Sequence, residues 1–271
     1  MVPHHRRTRP RNPPPPRRTP RQALNIFSNT PTHTMKDRII VITGAGGGFG
    51  RALIDTLAPQ GVRLALADLG SAPLAELAGQ ARKLGAADVV TGAVDITDEA
   101  STAAFFASVK QKFGRADILI NLPGMSIAAP VADMPVESYD KIIDVNLKGL
   151  FLAAKHFIPL TDPAQNPLIS FISSQAATRP NPNAPVYCAA KAAVSVFGQG
   201  LALQVMKQNI RVTSIKPGPV NTVGFWGDRP VPREKFMQAA DVANVINFIL
   251  TLPSHIVMHE VSFESFEFFK K

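Results

Sequence analysis

The chain has 271 residues, of which 45% are hydrophobic and 18% are charged. This composition is typical of a globular protein with a full core, and it excludes a wholly disordered chain. No apolar run approaches the roughly 20 residues that cross a bilayer, so we expect no membrane span. The chain has one cysteine, Cys188, which excludes an internal disulfide and a cysteine-rich metal site. A reducing, cytoplasmic location is the default expectation.

The net charge of +9 by itself suggests a nucleic-acid partner, but this charge is distributed unevenly along the chain. Residues 1–34 contain seven arginines and no acid, which leaves 22 basic and 20 acidic residues from Met35 onward. The globular part is therefore almost neutral, and we expect no nucleic-acid partner. The same 34 residues hold eight of the 24 prolines, four of them at Pro13–Pro16, so we expect this extension to be disordered.

Three interpretations of residues 1–34 remain open. An arginine-rich segment without acids resembles an organellar transit peptide, although its prolines prevent an amphipathic helix over most of its length. The arginines could also form a basic arm for nucleic acid or an anionic membrane surface. The third interpretation is an extension without a folded role, translated from an earlier start than Met35. The position of Met35, three residues before the first predicted strand, favours the third interpretation.

From Met35 onward, apolar β-branched runs alternate with stretches of helical spacing. Strands are predicted at 38–43, 62–68, 88–94, 116–121, 168–173, 210–216 and 255–261. Helices are predicted at 49–59, 74–84, 99–113, 137–157, 186–208 and 241–250. This alternation predicts a doubly wound α/β fold, a parallel seven-stranded sheet with helices on both faces, in one domain over residues 35–271.

A glycine-rich turn follows the first strand and opens the first helix. Gly44, Gly48 and Gly50 lie in the segment TGAGGGFG at 43–50. Glycines permit a tight turn and a close approach of the backbone to a pyrophosphate, which the N-terminus of the next helix attracts. Asp68 ends the second strand, where a carboxylate can accept hydrogen bonds from ribose hydroxyls. The pattern predicts a dinucleotide site.

Asp68 also bears on which dinucleotide binds. Its charge would repel a 2′-phosphate by about 4 kcal/mol at a separation of about 4 Å and intermediate dielectric. The next residues, Leu69 and Gly70, supply no compensating cation. We therefore expect NAD to be preferred over NADP.

Tyr187 and Lys191 are four residues apart near the start of a predicted helix, so they share one face of it. A free tyrosine has a pKa of about 10, too high for a base at neutral pH. A nearby ammonium, the helix N-terminus and a cationic nicotinamide would all favour the phenolate. Tyr187 is therefore a candidate proton donor to a carbonyl oxygen or acceptor from a hydroxyl.

These motifs, in this order, resemble the short-chain dehydrogenase/reductase family, with its Rossmann-type fold, over residues 36 to about 261. The segment at 43–50 matches TGxxxGxG, and Tyr187 and Lys191 match YxxxK. Asn146 matches a catalytic asparagine, Ser174 has the usual offset of 13 residues before Tyr187, and PGPVNT at 217–222 matches PGxVxT.

The resemblance implies an oxidoreductase that moves a hydride between a nicotinamide and an alcohol or carbonyl substrate. Ser174 would hydrogen-bond the substrate oxygen, with Ser173 as the fallback, and Tyr187 would exchange the proton. Lys191 would lower the pKa of Tyr187 and bind ribose, and Asn146 would hold a water that links Lys191 to solvent. The implied cofactor-binding residues are Gly44, Gly48, Phe49, Gly50, Asp68, Asp95, Ile96, Asn121, Gly124, Tyr187, Lys191, Pro217, Gly218, Val220 and Thr222.

One segment departs from the family pattern. The family usually has Asn-Asn-Ala-Gly after the fourth strand, whereas this chain has Asn121-Leu122-Pro123-Gly124. Leu122 cannot form the hydrogen bonds of an asparagine, and Pro123 removes a backbone donor. We expect altered cofactor affinity rather than lost binding.

The substrate pocket is expected between the segment after Gly124, residues 175–186 and residues 218–236. The last segment carries Phe225, Trp226, Arg229 and Arg233, which suggest a substrate with an apolar body and an acidic or polar group. Solvated surface arginines are the alternative. The phenylalanine-rich run at 263–269 could pack on a neighbouring subunit or cover its own domain.

The remaining expectations concern metals, partners and competing functions. The six histidines show no metal-ligand spacing, so we expect no metal site. The resemblance implies a homodimer or homotetramer through the helices that start near Glu137 and Val186. Two other classes compete with the enzyme: a dinucleotide-binding regulatory protein without turnover, and an RNA- or membrane-associated protein that acts through its arginines.

Overall fold

A computed structural model describes residues 34–270 apart from Val223 and Asp228, so the prediction of a disordered N-terminal extension falls outside the described part. A seven-stranded parallel sheet forms the centre, in the order β3-β2-β1-β4-β5-β6-β9. Its strands are β1 (Ile39–Thr43), β2 (Arg63–Asp68), β3 (Asp88–Ala93), β4 (Ile118–Asn121), β5 (Leu168–Ile172), β6 (Arg211–Pro217) and β9 (Glu260–Phe263). Two short strands, β7 (Val220–Asn221) and β8 (Met237–Gln238), pair separately.

Helices cover both faces of this sheet, which confirms the doubly wound α/β prediction. They are α1 (Gly48–Leu57), α2 (Ser71–Leu84), α3 (Glu99–Phe113), α4 (Val136–Ile143), α5 (Gly149–Phe157), α6 (Pro185–Val205) and α7 (Ala239–Leu250). Two apolar cores result. Side chains of α1, α2 and α7 pack on one face of the sheet, and those of α3, α5 and α6 pack on the other. Successive residues of β1 alternate between these cores, because adjacent strand side chains point to opposite faces.

Gly198 lets helix α6 pack on a side chain of β5. A Cβ atom on Gly198 would lie 2.0 Å from Cζ of the buried Phe171 on β5, so only glycine fits there. Among the described helices, α6 with its following turn is the one long and apolar enough to cross a membrane. Its contact with the sheet and its buried Lys191 are features of the core helix of a globular domain.

Two predicted elements need correction. The last strand begins at Glu260 rather than at 255, because its partner β6 pairs with it only from Ser214 onward. Ile256 and Val257 lie before this pairing and are partly exposed. The helix predicted at 137–157 is interrupted by a π-helical turn over Asp144–Lys148. Hydrophobic periodicity does not reveal such a turn, since the apolar spacing on either side continues.

Candidate active site

The strand order reverses at β1, which lies between β2 and β4. In open α/β sheets, ligands bind in the crevice beyond the carboxyl ends of the strands at such a switch point. Two cavities of about 540 Å³ and about 660 Å³ lie here. Both are lined by Phe49, Leu122, Gly124, Ser126, Thr222 and Phe225, so they form one continuous cleft.

The first cavity is formed by the glycine turn after β1 and by the ends of β2 and β3. Predicted cofactor residues that line it are Gly44, Gly48, Phe49, Asp68, Asp95, Ile96, Gly124 and Thr222. A Cβ atom on Gly46 would lie 3.1 Å from the Asp68 carboxylate, and one on Gly48 would lie 3.3 Å from Cβ of Thr222. Side chains at these positions would narrow the cavity, so the turn is shaped for a ligand that approaches its backbone closely.

The two acidic residues of this cavity are held by backbone donors. Asp68 accepts hydrogen bonds from the amides of Gly46 and Leu69, each at 2.8 Å, through different carboxylate oxygens. Asp95 accepts from the hydroxyl of Thr97 at 2.7 Å and from its amide at 2.8 Å, and these bonds lower the pKa of Asp95. Both carboxylates are thus fixed in orientation at the cavity wall.

The second cavity extends over α6 and the segment after β6. Predicted residues that line it are Phe49, Gly124, Ser174, Tyr187, Lys191, Pro217, Gly218, Val220 and Thr222. Its outer wall contains Phe225, Trp226, Arg229 and Val231, together with Arg179 and Phe268. Arg233 does not line it and donates instead to the carbonyl of Gly227 at 2.6 Å.

Tyr187, Ser174 and Lys191 line the second cavity together. Lys191 lies beside Gly124 and Tyr187 lies beside Phe225, and these two neighbours line both cavities. The hydroxyl of Ser174 lies near that of Tyr187 and acts to lower the pKa of Tyr187. The Ser174 oxygen also accepts from the amide of Ala176 at 3.1 Å, which leaves the Ser174 hydrogen free to be donated. Nζ of Lys191 lies 5.9 Å from the centroid of the Tyr187 ring and donates to the carbonyl of Ile172 at 2.8 Å.

Burial shifts the pKa values of Tyr187 and Lys191 in opposite directions. It raises the pKa of Tyr187 to about 12, and the Ser174 hydrogen bond and the positive charge of Arg229 offset part of that rise. Burial also lowers the pKa of Lys191 to about 7, so near neutral pH its amine carries only part of a charge. The groups that lower the pKa of Tyr187 here are Ser174 and Arg229, so the expected effect of Lys191 on this pKa stays a prediction. The phenol is a proton donor in this state.

Asn146 lies in the π turn and faces Lys191. Its side-chain amide donates to the carbonyl of Met125 at 2.9 Å and to that of Ile142 at 2.8 Å. Its buried Oδ1 accepts no hydrogen bond from the described residues. A Cβ atom on Gly124 would lie 3.4 Å from this oxygen and 3.1 Å from Nζ of Lys191. The unpaired acceptor and the lysine therefore face the same point.

Ser173, the alternative to Ser174, has a different environment. It is buried, and its hydroxyl lies 2.7 Å from that of Ser195 and donates to the carbonyl of Lys191 at 3.1 Å. These contacts tie β5 to α6 instead of pointing at Tyr187. The geometry therefore favours Ser174 for contact with a substrate oxygen.

Three predicted site residues line neither cavity. Asn146 lies behind Lys191 as described, and the side chain of Asn121 accepts from the hydroxyl of Thr43 at 2.8 Å. Gly50 packs under the turn, where a Cβ atom would lie 2.3 Å from the carbonyl oxygen of Ala45. Leu122 and Pro123, the two residues that differ from the family pattern, both line the first cavity and pack against Gly44.

Sequence reasoning did not single out several residues that line the cleft. Thr97, Met125 and Ser126 line the first cavity, and Arg179 lines the second. Phe268 could have been found from the phenylalanine-rich run near the end of the chain. Its ring lies 6.0 Å from that of Phe236, so this part of the tail packs on its own domain.

Comparison with known proteins identifies the family. A family model described as short chain dehydrogenase matches residues 38–230. An uncharacterized oxidoreductase of Staphylococcus saprophyticus is 33% identical over 228 residues, which cover 84% of this chain and 97% of that protein.

Two solved structures show the same fold. An alcohol dehydrogenase from the archaeon Thermococcus sibiricus, complexed with 5-hydroxy-NADP, has a TM-score of 0.79 at 25% identity. The match covers 86% of this chain and 98% of the dehydrogenase chain. A 3-ketoacyl-(acyl-carrier-protein) reductase from Brucella melitensis, complexed with NADH, has a TM-score of 0.78 at 27% identity, with coverage of 86% and 99%. From the family match, the overall likeness and the cleft described above, it follows that this chain belongs to the short chain dehydrogenase family of oxidoreductases.

Proposed function

We propose that the protein is an NAD(P)(H)-dependent oxidoreductase that interconverts an alcohol and a carbonyl compound. The observation that carries the proposal is that Ser174, Tyr187 and Lys191 line the second cavity together, with the Ser174 hydroxyl near that of Tyr187 and Lys191 one helical turn away. One cavity has the glycine turn and fixed carboxylates that suit a dinucleotide. The other is largely apolar and suits the substrate.

In the direction of reduction, Ser174 donates a hydrogen bond to the substrate carbonyl oxygen and stabilises the negative charge that develops there. Tyr187 then transfers its proton to that oxygen as the general acid. A phenol with a raised pKa is fully protonated at neutral pH, so it is ready to donate. In the oxidative direction the same oxygen accepts the alcohol proton, and this requires a lower pKa than the protein alone provides.

Lys191 and Asn146 return the proton to Tyr187 in this proposal. A Lys191 pKa of about 7 allows its amine to take up and release protons near neutral pH. The unpaired Oδ1 of Asn146 faces the same point as this amine and is suited to hold a relay water. The π turn places Asn146 at that point, in keeping with the frequent occurrence of such turns at functional sites.

The residues of the first cavity fit a dinucleotide. The glycine turn and the N-terminus of α1 would hold the pyrophosphate, Asp68 the ribose hydroxyls and Asp95 the adenine. Lys191 and the segment from Pro217 to Thr222 would hold the nicotinamide end. When bound, the dinucleotide supplies or accepts the hydride at the substrate carbon.

A panel of aldehydes, ketones and alcohols, assayed with NAD(H) and NADP(H) in parallel, tests this function. We expect steady turnover of at least one carbonyl compound, followed by the absorbance of the reduced nicotinamide. A protein that binds a dinucleotide but turns over no member of the panel would instead be a regulatory binding protein.

Asp68 is expected to make the enzyme prefer NAD. No lysine or arginine lines the first cavity among the described residues, so a 2′-phosphate beside this carboxylate would lack a counter-charge. Replacing Asp68 with serine should raise the ratio of kcat/KM for NADPH to that for NADH by at least about tenfold, equivalent to about 1.4 kcal/mol.

Asp95→Asn is the matched control for this substitution. It alters a carboxylate of the same cavity that is assigned to the adenine, so it should weaken both cofactors alike. An unchanged cofactor ratio in Asp68→Ser would refute the assignment of Asp68 to the ribose.

We further propose a homodimer or homotetramer that forms through α4, α5 and α6. Apolar side chains on these helices and the turn after α6 are exposed in the single chain: Val136, Tyr139, Phe151, Val196, Leu203 and Met206. Clusters of this kind on helices that already pack on the sheet are typical of subunit contacts. Light scattering that gives the mass of one chain would exclude this assembly.

A further inference from the structure

In the second cavity, the guanidinium of Arg229 lies over two aromatic rings. Cζ of Arg229 lies 5.1 Å from the ring centroid of Trp226 and 5.5 Å from that of Phe225. Its Nε donates to the carbonyl of Trp226 at 2.8 Å, and one terminal nitrogen donates to the carbonyl of Phe225. The stacking and the backbone contacts fix the orientation of this group, so little side-chain freedom is lost when it binds a ligand.

Arg229 is close to the proposed reacting centre. The ring of Phe225 lies 6.0 Å from that of Tyr187, edge to face, and Arg229 lies on the same ring of Phe225. The positive charge of Arg229 also acts on the pKa of the Tyr187 hydroxyl. Tyr187 and Arg229 therefore contact the same Phe225 ring. In a substrate whose carbonyl oxygen contacts Tyr187, the reacting carbon is separated from the Arg229 guanidinium by about the width of that ring.

The second arginine of the cavity differs from Arg229. Arg179 forms a salt bridge with Glu264, so its charge is already compensated at the rim. The apolar side chains that line this cavity include those of Trp226, Val231 and Phe268. Among the described lining residues of this cavity there is no aspartate or glutamate. The second cavity therefore holds the oriented guanidinium of Arg229 among aromatic side chains, in addition to the buried amine of Lys191.

We propose that the substrate is an apolar carbonyl compound, or the matching alcohol, that carries a carboxylate, and that Arg229 recognises this carboxylate. The carboxylate lies several bonds from the reacting carbon, and the apolar body fills the space beside Trp226 and Phe268. A guanidinium fork matches the two oxygens of a carboxylate, which makes the contact both strong and directional. The carboxylate is unchanged by the reaction. The identity of the reacting group rests on the function proposed above.

Direct binding tests this recognition without turnover. Trp226 is the only tryptophan of the chain, and it lines the cavity, so its fluorescence reports occupancy. The full-length protein is titrated with 4-tert-butylbenzoate and, separately, with the neutral 4-tert-butylbenzamide. These two probes share one apolar body. We expect the carboxylate to bind at least about tenfold more tightly, as a charge-assisted hydrogen bond predicts.

Substitutions assign this preference to one residue. Arg229→Gln should bring the two Kd values within about twofold of each other, and Arg229→Lys should keep part of the preference because a point charge remains. The double substitution R179Q/E264Q removes a cation together with its anion and should keep the preference. Circular dichroism and thermal unfolding establish that each variant is folded.

Several results would overturn the proposal. These are equal affinity of the wild-type protein for both probes, binding of neither probe, and a preference that survives Arg229→Gln. The variant Tyr187→Phe separates this inference from the proposed function. It should keep the preference for the carboxylate even though it loses turnover, so failure of the enzyme assay and failure of carboxylate recognition are distinguishable.

Discussion

Replacing Tyr187 with phenylalanine should lower kcat by about 10²- to 10⁴-fold, the usual contribution of a general acid, and leave dinucleotide binding nearly intact. The substitution removes one oxygen atom, which lies near the Ser174 hydroxyl and is the proposed proton donor. The ring itself remains to pack against Phe225. The measurements are kcat with the best carbonyl substrate of the panel, and the dissociation constant of the reduced dinucleotide from its own fluorescence.

The chain provides its own control for this experiment, since it has two tyrosines. Tyr139 lies on α4, is 47% exposed and lines neither cavity. Tyr139→Phe should therefore have wild-type kcat. Full activity in Tyr187→Phe would contradict the assignment of the proton donor and, with it, the proposed chemistry of the site.

Lys191→Met should change both catalysis and the pH dependence of stability. Only 2% of Lys191 is exposed, and burial lowers its pKa from 10.5 to about 7. Between about pH 7 and pH 10 the unfolded chain therefore binds a proton that the folded chain does not. The free energy of unfolding of the wild-type protein should rise with pH in this range. Methionine has no such proton, so the variant lacks this contribution.

Urea denaturation at pH 7 and pH 9 measures this effect. Relative to Lys191→Met, the wild-type protein should gain on the order of 2 kcal/mol between these pH values. Above about pH 10 the raised pKa of Tyr187 acts in the opposite direction, because the folded chain then keeps a proton that the unfolded chain loses. The range up to pH 9 avoids this second titration.

The control replaces Lys207, an exposed lysine in the turn after α6, with methionine. Lys207→Met should keep the wild-type slope of stability with pH and the wild-type kcat. Lys191→Met should lower kcat by at least about tenfold, because it removes the amine that returns a proton to Tyr187. Equal slopes in the wild-type protein and Lys191→Met would show that this amine is not desolvated.

The buried strands could be predicted from the sequence to within one or two residues, because a strand covered on both faces is apolar at nearly every position. The run at 255–261 also contains the polar residues His255, His259 and Glu260, and its strand lies at the edge of the sheet. There the boundary depends on where β6 offers hydrogen-bonding partners, and this is a property of the register between two distant segments. No local pattern contains that information.

The residue types of the site could be predicted, but their protonation could not. The spacing of Tyr187 and Lys191 indicates that they share a helical face, and the structure agrees. Their pKa values depend instead on burial, which the spacing along a helix does not show. Similarly, the position of Asn146 opposite Lys191 results from a π turn that periodicity does not show.

Phe225 forms part of the wall of both cavities. A ring in this position cannot shift to admit one ligand without reshaping the space offered to the other. If the dinucleotide changes the affinity for substrate through this ring, the substrate changes the affinity for dinucleotide by the same factor, because thermodynamic linkage is reciprocal. Phe225 is one of six residues that line both cavities, so truncating its side chain should remove its share of any coupling between the two proposed ligands.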